Sequence, residues 1–212
     1  MEIIEQLKPE VKYLLEEGEG CHDWDHTLRV YNLAMHIGEI EGADLEIIGI
    51  AALLHDIGRP EEARQDHKIC HAEIGAVMAE SILTGYGLGQ EKIDAIKYCI
   101  KSHRWSRGEA PETKEAKILY DADKLDSIGA IGLGRAFNYS GTYHARVHNP
   151  EIHYEDVREH SREDTAYQHY HIKLKKIKDK LFTGEAKHIA IERDKFMKEF
   201  FERLNAECRG EK

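Results

Sequence analysis

Apolar residues return every three or four positions along almost the whole of this 212-residue chain, and only four prolines interrupt it. That pattern admits amphipathic helices. It leaves little room for sheet, because no stretch alternates convincingly in the manner of a half-buried strand. Trp24, Leu28, Tyr31 and Met35 form one stripe at helical spacing, and His26, Val30, Leu33 and Ile37 form a second. The spacing predicts a helix buried on more than one side, stopped at Gly42. Asp44 can cap the next helix, which runs through EIIGIAALLHDIG; it is apolar nearly all round, so it belongs at the centre, and Gly58 and Pro60 end it. A loop, EEARQDH, leads to helices around CHAEIGAVMAESIL and QEKIDAIKYCIKSH, with a Gly-rich turn, GYGLG, between them. Two more helices follow, TKEAKILYDADKLDSIG and AIGLGRAFNY. Residues 140–160 are rich in His, Asn, Gly and charge and read as a long loop. The C-terminal third reads as two helices, REDTAYQHYHIKLKKIKDKLF and AKHIAIERDKFMKEFFERL. The expectation is an all-α fold in one domain over 1–212, with a core of about 20–140 and C-terminal helices of about 161–207 packing on it.

The chain carries enough apolar residues, 41%, to build a core, and its 33% of charged residues are spread along it, as in a soluble protein. No apolar run approaches the ~20 residues of a membrane span, and the acidic, amphipathic start lacks a secretory pattern. A net charge of −10 argues against non-specific nucleic-acid binding, although a metal can reverse the field locally for a small anion. Cys21, Cys70, Cys99 and Cys208 form no C-x-x-C pair, which suits reduced thiols and a cytoplasmic location. The count of 14 histidines exceeds what packing requires and points to metal or phosphate chemistry.

Three stretches carry that chemistry. HDWDH places His22 and His26 on one helix face, one turn apart. His26 shares an inward stripe, whereas His22 lies at the start of the helix. A zinc-protease reading would need glutamate directly after the first histidine, and Asp23 stands there. His55-Asp56 closes an apolar helix, where an unpaired carboxylate would be very costly. Two arrangements satisfy it: a divalent metal taken by both, or a buried His–Asp hydrogen bond joining two helices. In ILYDADKLDSIGA, Asp123 and Asp126 are near neighbours whose repulsion a cation would relieve; Asp121 fits an exposed acidic face better.

The ordered strings HDWDHTLRV, AALLHDIG, HAEIGA and DADKLDSIGAIGLGR, with the long C-terminal helical stretch, resemble the HD superfamily of metal-dependent phosphohydrolases over essentially the whole chain. The resemblance implies that His26, His55, Asp56 and Asp123 ligate one divalent ion; the donor set suits Mn, Ni, Co, Fe, Zn or Mg. It also places His71 and His103 where two-metal members have extra ligands, and we expect them here to contact phosphate or to support the ligands of a one-metal site rather than to hold a second ion. The G-Y-P string of the subgroup that cleaves cyclic dinucleotides is missing. The glutamate that some nucleotidase members carry three residues after the HD aspartate is replaced by Arg59.

The expected activity is hydrolysis of a phosphate ester or anhydride, with a nucleotide as the small phosphorylated substrate. Asp56 would orient the water, and His71 and His103 would contact the phosphate or protonate the leaving group. Arg29, Arg59 and Lys124 would bind phosphate, and His22 would line the rim. A metal-containing regulatory protein that binds nucleotide without turnover is the alternative, and a homodimer is left open. The histidines from His144 to His171 read mostly as ordinary polar residues.

Overall fold

The computed structural model describes residues 2–15, 22–66, 68–104 and 110–212. Cys21 and His67, which both figure in the sequence analysis, lie outside the described residues. Among the described residues there is no strand, and the fold is all-α. No helix is long and apolar enough to cross a membrane. The chain forms two compact units, Met1–Asp123 and Lys124–Lys212, which divide within one helix.

The first unit holds α1 (Glu2–Leu15), α2 (Trp24–Glu41), α3 (Leu45–Leu54), α4 (Arg59–Arg64), α5 (His71–Gly85), α6 (Gln90–Ser102) and most of α7 (Lys114–Leu125). Asp23 starts α2 by accepting a hydrogen bond from His26 N at 2.9 Å, and Gly42 ends it in the left-handed region at φ 65°. Asp44 caps α3 through the amides of Glu46 and Ile47. Every residue of α3 from Ile48 to Leu54 is buried, and α1, α2, α5 and α6 all pack against it. Such a helix must end in a site or in a bonded pair, because His55 and Asp56 follow with no exposure at all.

Here the expected loop EEARQDH is corrected. Residues Arg59–Arg64 are helical, because Pro60 occupies the first turn, where its missing N–H costs nothing. Gly58 is required by space rather than by dihedral freedom: a Cβ there would stand 2.2 Å from His71 O and 2.8 Å from Gly75 N. The turn after Asp56 therefore lies directly on the start of α5.

The second unit holds α8 (Gly129–Thr142), α9 (Ala166–Ile172) and α10 (Gly184–Cys208), with short 3-10 helices at Tyr154–Asp156 and Leu174–Lys180. The expected single helix over REDTAYQHYHIKLKKIKDKLF is broken at Lys173, and a 3-10 stretch follows. Leu174 and Ile177 are both buried, and a three-residue turn puts them on one edge. The segment after α8 is irregular, as predicted, but a buried network pins it. Asn149 Nδ2 donates to Glu163 O at 2.8 Å, Thr165 Oγ1 donates to Asn149 Oδ1 at 2.8 Å, and Gln168 Nε2 donates to Ile152 O at 3.1 Å. Cys70, Cys99 and Cys208 are free thiols, and burial raises the pKa of Cys99 to about 12.

Candidate metal centre

The helices of the first unit bring seven predicted residues to one place. His26 comes from the first turn of α2, His55 and Asp56 from the end of α3, and Asp123 from the last turns of α7. His26 Nε2 lies 3.6 Å from Asp56 Oδ2 and 3.5 Å from Asp123 Oδ1. His55 Nε2 lies 3.5 Å from Asp56 Oδ2 and 3.3 Å from His26 Nε2. A second group shares the same carboxylate: His71 Nε2 and His103 Nε2 stand 3.5 and 3.6 Å from Asp56 Oδ1 and 3.3 Å from each other. His22 reaches Asp56 Oδ2 at 3.1 Å from its half-buried position at the start of α2.

The donor chemistry fits a cation. His55 Nδ1 sits 2.7 Å from Ala52 O and His103 Nδ1 2.5 Å from Ile100 O, so each ring carries its proton there and turns a lone pair of Nε2 inward. Asp56 Oδ1 is fully buried and has no hydrogen-bond partner among the described residues. A buried cage of lone pairs and carboxylate oxygens is costly by itself and suited to a positive ion. Ligands ~2.1 Å from a metal lie ~3.0–3.4 Å apart, close to the separations here.

Electrostatics follow the same logic. Burial keeps His55 neutral and lowers it to about 4, against the pull of Asp56. Burial resists the ionisation of Asp56, but His55 and Arg59 outweigh it and hold the carboxyl well below its usual range. Arg59 Nε stands 2.5 Å from Asp56 Oδ2 as an ion pair without hydrogen-bond alignment. His71 is lowered to about 3, by burial first and Arg59 second.

Arg29 and Lys124 are half-buried, one turn after His26 on α2 and directly after Asp123 on α7. Asp121 corrects the expectation of an exposed acidic face: it has no exposure, and Ile118, Leu119, Tyr120 and Ala122 beside it are buried as well. Asp126 needs no shared cation with Asp123, since Arg135 Nη1 meets its Oδ2 at 2.5 Å. Sequence reasoning missed Glu62 and Arg104. Glu62 Oε2 lies 3.0 Å from His71 Nδ1, and Arg104 Nη1 donates to Glu62 Oε1 at 2.6 Å. Reading α4 as a loop hid the inward face that carries Glu62. The signal for Arg104 was its position directly after His103.

An all-α fold whose buried His, His-Asp and Asp converge on one centre defines a protein of the HD type. The HD domain model matches residues 23–128, and the chain belongs to that family. It is 34% identical to the Bacillus subtilis protein YpgQ, over 97% of this chain and 94% of that protein. A crystal structure of YpgQ in complex with ADP matches with a TM-score of 0.74 and 31% identity, over 96% of this chain and 94% of that one. An HD-superfamily hydrolase from Bacillus thuringiensis matches with a TM-score of 0.79 and 30% identity, over 98% and 97% of the two chains.

Proposed function

We propose that this protein is a metal-dependent phosphohydrolase that cleaves a phosphate ester or anhydride, with a nucleotide as substrate. The observation that carries the reading is the buried, unpartnered Asp56 Oδ1 in a site where His55 and His103 turn the lone pairs of their Nε2 atoms inward. His26, His55, Asp56 and Asp123 would hold a divalent ion, which supplies Lewis acidity and a water of lowered pKa. Asp56 has a second oxygen left over to orient that water. Arg59, already beside Asp56, offers an N–H fork to a phosphate, and Arg29 and Lys124 add positive charge next to the ligands on their helices. His71 and His103 are placed to carry a proton between water, Asp56 and the leaving oxygen. His22 would order the rim. The choice of a nucleotide is supported by the ADP bound to YpgQ.

The test is a screen of nucleotides and phosphate esters with Mn²⁺, Ni²⁺, Co²⁺ and Mg²⁺, run beside Asp123→Ala. Release of phosphate or pyrophosphate by the wild type alone is the expected result. No turnover of any phosphorylated compound with any of these metals would overturn the reading, and metal-dependent ADP binding without turnover would replace it with a regulatory role.

A further inference from the structure

Glu62 has no part in the chemistry above, yet it is almost wholly buried and faces the site from behind His71. Its carboxylate meets three nitrogens. Oε2 lies 3.0 Å from His71 Nδ1, the backbone N–H of His71 donates to Oε1 at 3.3 Å, and Arg104 Nη1 donates to Oε1 at 2.6 Å. The first two contacts exist because Gly58 lets the turn before α4 lie on the start of α5. Arg104 Nη1 also stands 3.0 Å from His71 Nδ1, which creates a choice of tautomer.

With the proton on Nδ1, His71 donates to Glu62 and turns a lone pair of Nε2 to the site. With the proton on Nε2, Nδ1 accepts from Arg104 and Nε2 donates to His103 Nε2. Each arrangement leaves acceptors face to face. In the first, the lone pairs of His71 Nε2 and His103 Nε2 meet at 3.3 Å, with Asp56 Oδ1 at 3.5 and 3.6 Å from them, inside the site, where a water or a cation can separate all three. In the second, a lone pair faces a full carboxylate charge at 3.0 Å in a closed position. A hydrogen bond to a carboxylate is also roughly twice as strong as one between neutral groups. The first arrangement wins on both counts.

We propose that Glu62 is a positioning residue that fixes His71 with its proton on Nδ1, so that Nε2 meets water or substrate as a proton acceptor. Arg104 keeps the carboxylate ionised and directs it. Under the phosphohydrolase reading, on which this assignment of His71 rests for its catalytic meaning, His71 starts as a proton acceptor at Nε2 and can pass that proton on only after taking it up.

Imidazole ¹⁵N NMR of the full-length, Mg²⁺-loaded protein reads the tautomer directly. The wild type should show His71 with a protonated Nδ1 and an unprotonated Nε2. Glu62→Ala should shift His71 towards the Nε2-protonated form. Glu62→Gln, which keeps size and an acceptor oxygen, should restore part of the wild-type signal even if the alanine variant folds poorly. In the activity assay, Glu62→Ala should lower kcat by ~10–100-fold with little change in KM, and Glu62→Gln should recover part of it. A proton on Nε2 in the wild type, or a tautomer that neither substitution moves, would overturn the proposal. Loss of turnover in every form with the tautomer pattern intact would count against the phosphohydrolase reading alone.

Discussion

Both units bury polar side chains, and they do so in opposite ways. In the second unit, Asn149, Thr165 and Gln168 are fully enclosed, and their donors meet acceptors, hydroxyl to amide oxygen and amide N–H to backbone carbonyl, although Gln168 Oε1 has no partner among the described residues. Asp126 meets Arg135 in the same fashion. In the first unit, His26, His55 and Asp56 are as deeply enclosed, but there two acceptors, the lone pair of His55 Nε2 and the carboxylate of Asp56, converge at 3.5 Å. A donor–acceptor network satisfies itself and stabilises structure. A convergence of acceptors is satisfied only by something that arrives, a cation or a proton. Burial of polar groups therefore says little about function; the match of donors to acceptors says much.

The comparison can be broken by substitution. The largest effect is expected at the acceptor cage. His55→Ala or Asp123→Ala should reduce bound metal to near zero by elemental analysis and lower turnover by more than the ~100-fold typical of an outer-sphere partner. Retention of metal and activity would show that the cage closes on itself after all.

Acid should separate the two units next. Unfolded, His55 takes up a proton near its ordinary value of 6.5; folded, it does so only near 4. Between those values unfolding binds a proton, so stability is full above pH 6.5 and falls as the pH drops towards 4. His71, lowered to about 3, adds in the same direction. For His55 alone the loss is roughly 3 kcal/mol in chelator-treated protein, read from urea unfolding at several pH values. His55→Gln should flatten that dependence.

Metal should act in the opposite sense. At an ion concentration ~100 times Kd, Mn²⁺ should add about 2.7 kcal/mol to the unfolding free energy, and His55→Ala should abolish the gain. Thermal scans with and without EDTA report it.

The smallest effect sharpens the other side of the comparison. Asn149→Ala should cost about 1–3 kcal/mol by stranding the groups that now pair with it, with metal content and kcat unchanged. A loss of metal in that variant would mean that the second unit does more than hold itself together.

Much of this was legible before folding. The stripe through His26, Val30 and Ile37 placed that histidine inward, and the apolar run before His55-Asp56 required a buried partner for the carboxylate. Gly42 and Asp44 ended and began helices as their chemistry predicts. Other features misled because local signals have two meanings. Pro60 after Gly58 looks like a stop and is instead the first turn of α4. Asp121 fitted an exposed acidic face in the sequence, whereas in the fold it has no exposure. The run from Ala166 to Lys180 kept helical periodicity, yet the backbone changes at Lys173 to the tighter turn that suits Leu174 and Ile177.

By itself the sequence determined the period of the helices, their caps and the kinds of atom available to the centre, because these depend on residues within a turn or two of one another. Only the tertiary structure decided which lone pairs face each other, that both oxygens of Asp56 serve different histidines, and that Glu62 stands behind His71. Those relations join residues up to 97 positions apart, from His26 to Asp123. They are settled by how closely helices approach, as at Gly58, and no local pattern encodes that distance.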